Sequence, residues 1–257
     1  MDAIILAGGK ADQDDPLYTM TKGGYKSMLE IAGKPMVQWV LDALSGVDRI
    51  GHVVVIGLNS ENTLRCTHPT IFLPDHGGII QNIKAGAEAL LEINPDPDAR
   101  MLAISADVPS ITPEVIEWTM DAVAKSDHDL YYCVVERDVM DARFPDSKRS
   151  FVPIKHHLVC GGDLNAVRVG EAARDHELVD MITASRKNVF KQASLIGFDT
   201  LFLLLIRQLS IAAAEKRIGK RLKFRGKVII NPYAEVAMDV DKPFQFEIME
   251  KELIKRK

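Results

Sequence analysis

The chain has 257 residues, 47% of them hydrophobic and 26% charged, with a formal net charge of −4. That length buries a full core without disulfide or metal staples, and so mixed a composition excludes a disordered scaffold. The slight acidity supplies no global basic field for nucleic acid or an anionic membrane, so neither is expected as a partner.

In chain order, the first half alternates as βαβ units do. Ala3-Ile4-Ile5-Leu6 is a continuous apolar run, suited to a strand covered on both faces. The start MDAIILAGGK reads as that strand and a loop, not as a signal peptide. A polar, glycine-containing loop follows from Gly8 to about Lys26. Pro35 opens a helix to Leu44, with Met36, Val37, Val40, Leu41 and Leu44 on one face. His52–Ile56 and Thr70–Leu73 read as strands, and Ile79–Leu91 has helical spacing. Met101–Ile104 is another strand, ending in Ser-Ala-Asp. Thr112 caps a helix that has Pro113 at its first position and runs to about Lys125. Asp129–Glu136 is again a strand. From about 140 the rhythm changes. Phe151–Cys160 looks extended, Asp163–Val169 alternates, and helical patterns cover about 171–192 and 198–218. Lys227–Ile230 and Phe244–Ile254 read as a late strand and a last helix. The expectation is one α/β domain over 1–257, a Rossmann-like three-layer α/β/α arrangement on a mostly parallel sheet. It carries a helical and extended insertion at about 140–225. The longest apolar block, Leu201–Ile206, is too short to cross a bilayer. Cys66, Cys133 and Cys160 are scattered and lack CxxC spacing, which argues against a disulfide framework and suits a reducing, cytoplasmic compartment.

Three pieces carry chemistry. Leu6-Ala7-Gly8-Gly9-Lys10 stands directly after the first strand, where open α/β sheets bind ligands. Adjacent glycines let the backbone approach a phosphate and aim N–H groups at it, and Lys10, Lys22 and Lys26 add positive charge. The loop is neither GxGxxG nor GxxxxGK[ST], and a tight turn without a ligand is the plain alternative. Ser105-Ala106-Asp107-Val108-Pro109 places a carboxylate at a strand's C-terminal end, which suits a Mg²⁺ ligand or else a turn cap. In Met238-Asp239-Val240-Asp241-Lys242-Pro243, the two acids face one side if the segment is extended. His156 and His157 are adjacent and make a poor metal pair, and Lys148-Arg149, with Lys155 not far beyond, could help hold a phosphorylated acceptor but reads rather as a solvated basic stretch.

Ile4–Gly9, then Lys26-Ser27-Met28-Leu29, then Ile31–Met36 together resemble the N-terminal signature of the MobA-like NTP transferases and sugar-phosphate nucleotidyltransferases, which have a GT-A-like fold. The resemblance implies that Leu6, Ala7, Gly8, Gly9 and Lys10 wrap NTP phosphates and that Lys26 stabilises charge at the reacting phosphorus. Catalysis would rest on Lys26, Lys10 and Asp107. Asp107 looks like the family's metal-binding aspartate, and Asp241, with Asp239 as the lesser candidate, like its C-terminal partner. Gly78, Gln81 and Asn82 fall where the family receives the base. Gly162, Asp163 and Asn165 fall where the acceptor pocket lies. The implied activity is Mg²⁺-dependent transfer of an NMP from an NTP to a small phosphorylated acceptor, such as a sugar 1-phosphate or a molybdopterin-type precursor, releasing pyrophosphate. The acid-rich run Asp12-Gln13-Asp14-Asp15, where the family commonly carries a further cation, departs from the pattern. It leaves open a catalytically silent nucleotide-binding domain of the same fold. An NDP-sugar glycosyltransferase is the third reading, although its usual central Asp-x-Asp is replaced here by Asp107-Val108-Pro109.

Overall fold

The computed structural model describes residues 1–59, 63–175, 203–204 and 206–256. Of the helix expected over 171–192, residues 176–192 lie outside this set; of the one expected over 198–218, residues 206–210 are not helical and the helix begins at Ile211 and runs to Leu222. Among the described residues, nine strands form one sheet: β1 (Asp2–Leu6), β4 (Val53–Ile56), β5 (Thr70–Leu73), β6 (Arg100–Ser105), β7 (Leu130–Glu136), β8 (Val152–Ile154), β9 (His157–Gly161), β10 (Leu164–Arg168) and β11 (Gly226–Ile230). Their order is β5-β4-β1-β6-β10-β7-β9-β8, with β11 on the other edge of β7. Only β9 and β10 oppose the rest, so the sheet is mostly parallel. Two-residue strands β2 (Glu30–Ile31) and β3 (Lys34–Pro35) make a separate ribbon.

Alternation along β1 explains the layers. Ala3 and Ile5 feed one core, and Ile4 feeds the other. Both faces are apolar because both are covered. On the first face lie α2 (Met36–Ser45), α4 (Pro113–Ala124) and α8 (Pro243–Ile254), whose buried side chains join the larger core. On the second lie α3 (Ile79–Ile93) and α6 (Val169–Ala172). The helix expected from Pro35 forms as α2, burying Met36, Val37, Val40, Leu41 and Leu44. Thr112 caps α4 by accepting a hydrogen bond from Val115 N at 3.4 Å. In α3 the buried stripe is Asn82, Gly86, Ala87 and Leu90, while Ile79 is half exposed. Gly86 sets that offset: a Cβ there would stand 2.8 Å from Ile56 and 2.9 Å from Ile4, so the helix crosses the sheet at its glycine.

The stretch from 140, expected to hold an insertion, puts three strands into this sheet, and β10 lies at its centre between β6 and β7. β9 and β10 run along the same edge of β7, as if one long antiparallel strand had been interrupted. The register shows the break. Val134 pairs Gly161 and Tyr131 pairs Ala166, so the sum of paired numbers rises from 295 to 297 and two extra residues are accommodated. Interruptions of this kind re-aim side chains beside functional sites. Here the extra residues fall at Gly161-Gly162-Asp163, level with the C-terminal end of β6, and Ser105 N donates to Asp163 O at 2.9 Å.

Candidate active site

The C-terminal ends of β1 and β6 open onto one site. The loop after β1 is held by its own backbone. Lys26 N donates to Gly9 O at 2.9 Å and Ala11 N to Gly24 O at 3.2 Å, with a bridge between Lys10 and Tyr25. This short ladder brings Lys26 beside Gly8-Gly9 although the polar loop separates them in sequence. Ser27 fixes the base of the loop by donating to Ala7 O at 2.7 Å. Gly8, unlike Gly9, is required by packing from outside the loop. Gly57, at φ +101°, presses on Gly8 so closely that a Cβ would strike the Gly8 Cα. A Cβ on Gly8 would come within 3.0 Å of the Asp75 carboxyl.

The Lys26 ammonium lies between two carboxylates, 3.2 Å from Asp15 Oδ2 and 3.3 Å from Asp241 Oδ1. Partial burial pulls its pKa down, but Asp241 and Asp15 outweigh this and hold it above the ordinary lysine value. Asp15 is itself fixed, because its other oxygen accepts from Leu17 N at 2.9 Å. One acid of the loop that departs from the family pattern is therefore built into the site. Lys10 is exposed, with its ammonium 4.7 Å from the centre of the Tyr25 ring.

Asp107 and Asp241 meet because the segments carrying them are tied together: Val240 N donates to Asp107 O at 2.9 Å. Asp241 N donates in turn to Gln245 Oε1 at 3.1 Å, which sets the turn into α8. Asp107 Oδ1 is buried and meets no hydrogen-bond donor. Burial is the main cause that raises the Asp107 pKa to about 6; the Ser105 hydrogen bond opposes the rise, and Asp239 and Asp241 add to it. Asp163 is pushed well above the usual carboxylate range by burial and by the nearby charges of Asp107 and Asp239, with Arg149 opposing. Four carboxylates thus share one corner, and two of them stand without adequate counter-charge.

Asp239 has a paired cation, although burial still holds its pKa above the ordinary carboxylate value. The Arg149 guanidinium pairs with it and also donates to Gly161 O at 3.2 Å. Arg149, read in the sequence as part of a solvated stretch, is largely withdrawn from solvent because the break between β9 and β10 gives it a carbonyl and a carboxylate to bind. Among the described residues, no group of three or more His, Cys, Asp and Glu is arranged to hold a metal by itself. His157 pairs with Glu136 at 2.6 Å.

The remaining expected residues divide. Gly78 is the N-cap of α3. Asn82 is buried: its amide donates to Asp75 Oδ1 at 2.8 Å and its carbonyl accepts from His76 N at 2.7 Å, so it shapes the 75–78 loop. A Cβ on Gly78 would collide with the Gln81 side chain. Asn165 spends its side chain on backbone, accepting from Cys133 N at 2.9 Å and donating to Gly162 O at 3.1 Å. Gly162 is packed against Val236 and Cys133 O. Of the three expected acceptor-side residues, Asp163 faces the acid corner, while Gly162 and Asn165 build the break that presents it. Gly57 and Asp75 complete the site without having been singled out in the sequence, while Asp15 and Arg149 enter it as ion-pair partners of Lys26 and Asp239. An acid run beside a phosphate loop and a glycine directly after β4 were the available signals.

A mostly parallel α/β sheet with a glycine loop, a lysine and carboxylates at its C-terminal edge defines a phosphate-handling transferase site. The model of the MobA-like NTP transferase domain matches residues 3–197, and the chain belongs to that family and is a nucleotidyltransferase. A hypothetical transferase from Thermus thermophilus is similar at 30% identity and TM-score 0.82, over 95% of this chain and 98% of that one. The fold is shared with a CMP:2-keto-3-deoxy-manno-octonic acid synthetase complexed with CTP, at 12% identity and TM-score 0.57 over 100% and 99% of the two chains. It is also shared with a 4-diphosphocytidyl-2C-methyl-D-erythritol synthase from Anaerococcus prevotii, at 12% identity and TM-score 0.55 over 98% and 95%. No described helix is long and apolar enough to cross a membrane.

Proposed function

We propose that the enzyme transfers an NMP from an NTP to a small phosphorylated acceptor, and that it does so with Mg²⁺. The observation that carries this reading is Asp107, whose buried Oδ1 lacks a donor in a corner shared with Asp239 and Asp241. An oxygen so placed suits a cation better than it suits water. Mg²⁺ is ordinarily held by one or two carboxylates together with substrate phosphates, so a site without three protein ligands fits it. Asp107 and Asp241 would hold the ion, while Asp239 is engaged by Arg149. When bound, the metal supplies Lewis acidity and neutralises charge on the phosphates.

The protein's own residues do the positioning. The backbone of Gly8 and Gly9 lets the triphosphate approach the sheet edge. Lys26 has one ammonium within reach of the loop and of Asp241. In the reaction, an acceptor phosphate oxygen forms a bond to the α-phosphorus. The bond from that phosphorus to the bridging oxygen breaks, and pyrophosphate leaves with the electron pair. A phosphate acceptor needs no base to take its proton, so positioning and charge stabilisation carry the rate. The exposed Lys10 ammonium, 4.7 Å from the centre of the Tyr25 ring, would meet the outer phosphates.

The test is thermal stability of the full chain against ATP, GTP, CTP and UTP, each with and without Mg²⁺. A ligand that binds only the folded state raises the melting temperature by mass action. A Mg²⁺-dependent rise with one or two of the four supports the reading and identifies the donor. Equal shifts with and without the ion would remove Mg²⁺ from the proposal.

A further inference from the structure

At the opposite end of the sheet, the N-terminal ends of β7 and β11 meet α7 (Ile211–Leu222) around an open cleft of about 650 Å³. The length of β7 puts this cleft about 20 Å from the active site, at roughly 3.3 Å per residue. It is open to solvent rather than enclosed, so a ligand there would be held by charge more than by burial. The cleft is basic although the protein is acidic. Residues 216–227 read KRIGKRLKFRGK, with seven cations and no acid. Lys216, Lys220 and Lys223 recur at helical spacing and all line the cleft.

The acids of the cleft are already committed. Asp129 accepts from Arg225 Nη2 at 2.9 Å and from Arg168 Nε at 3.1 Å. Glu215 accepts from Val228 N at 2.8 Å and pairs with Lys227 at 3.5 Å. The three lysines have no ion pair or hydrogen bond with any of these groups. Like charges at i and i+4, as in Lys216 and Lys220, destabilise a helix. The helix dipole favours cations in the last turn, which accounts for Lys220 but not for Lys216 in the preceding turn. An anion carrying several charges would relieve all three at once. Phe224 and Gly226 give the cleft an apolar wall on one side.

We propose that this cleft is a second anion site, distinct from the active site, which takes a small polyphosphorylated molecule. Three lysines lining one open cleft suit a compact ligand with clustered charge better than an extended polymer. The experiment is calorimetric titration of the full chain with inorganic tripolyphosphate, without Mg²⁺. It is run on the natural sequence, on K216Q/K220Q/K223Q and on Lys26→Ala. The expected result is a binding event at least tenfold weaker in the triple variant and kept in Lys26→Ala, with the far-UV helix signal unchanged. Lys223→Gln alone, lying outside α7, reports the same loss in smaller measure if the triple variant fails to fold. The proposal is overturned if tripolyphosphate fails to bind, or if the triple variant binds within twofold of the natural sequence. It is also overturned if a single-stranded oligonucleotide or vesicles of anionic lipid compete at lower concentration through the same lysines.

Discussion

The two ends of the sheet use one residue type to opposite effect. At the C-terminal end, Asp107 and Asp163 are buried close to other carboxylates, and both are pushed up in pKa. At the N-terminal end, Asp127 and Asp129 sit among Arg100, Arg168 and Arg225, and both are pushed down. Hydrogen bonds from Arg225 hold Asp129 at about 2 against the opposing effect of burial. The arginine end is satisfied and holds elements together, since its partners come from β10, the approach to β7 and the approach to β11. The carboxylate end is unsatisfied, and so stores a cost that a cation and a phosphorylated substrate can relieve. Strain of this kind is what a site retains for function.

The largest effect that tests this contrast belongs to Lys26. Among the described residues its ammonium is the one cation bonded to Asp241, and the proposed chemistry builds charge on a phosphoryl group nearby. Lys26→Ala is expected to lower turnover by about 10²–10³-fold, measured as pyrophosphate release with saturating NTP. The melting temperature should change little, because the side chain is still partly exposed. Near-full activity in this variant would detach Lys26 from the chemistry and leave it a neutraliser of Asp15 and Asp241.

How far the sequence foretold this contrast differs between the two ends. Part of the candidate site was legible: Gly8-Gly9 and Asp107 stand in short motifs at strand ends, and the family resemblance pointed to Lys26 and Asp241, which the structure brings beside one another. Their local chemistry is fixed by spacing, and the βαβ rhythm supplies the sheet. Arg149 was misread as solvated because its partners, Asp239 and Gly161 O, are remote in sequence and meet it only through the break between β9 and β10. The central position of β10 was hidden for the same reason, since an antiparallel strand among parallel neighbours has no local signature. The arginine end was not legible at all. Asp127, Asp129, Arg168 and Arg225 look like ordinary surface charges until the fold places the starts of β7 and β11 beside the end of the antiparallel β10.

A second test weakens the satisfied end. Asp129→Asn leaves Arg168 and Arg225 short of a carboxylate and is expected to destabilise the fold by about 2 kcal/mol, read from urea unfolding at pH 7. Turnover should survive under conditions where the protein is folded. The pH dependence follows from the sign of the shift. A carboxyl held at about 2 in the folded state, against an ordinary 3.8, contributes stability that is present above about pH 4 and lost as pH falls toward 2. The natural protein should therefore lose stability over that window, and Asp129→Asn should lose less. An identical acid limb in both proteins would mean that the arginine network does not anchor the fold.

The smallest effect is the most pointed, because it runs toward greater stability. Asp107 is raised from 3.8 to about 6, so the folded protein holds its proton more tightly than the unfolded chain does. The linkage sign is then reversed relative to Asp129: the stability that Asp107 contributes is complete below about pH 4 and is lost as pH climbs through 6. Above pH 7 the metal-free protein carries the full cost of a buried charge whose Oδ1 meets no donor. Asp107→Asn removes that charge at nearly constant volume. It is expected to raise the stability of the metal-free protein at pH 8 by about 1–2 kcal/mol, less than the full shift of ~1.36 kcal/mol per pKa unit because the Ser105 hydrogen bond is altered too. The same change should abolish metal-dependent turnover, and its gain in stability should vanish at pH 4, where the natural carboxyl is already neutral. A variant less stable than the natural protein at pH 8 would show that Asp107 is held by compensating contacts, and the carboxylate end would then be as settled as the arginine end.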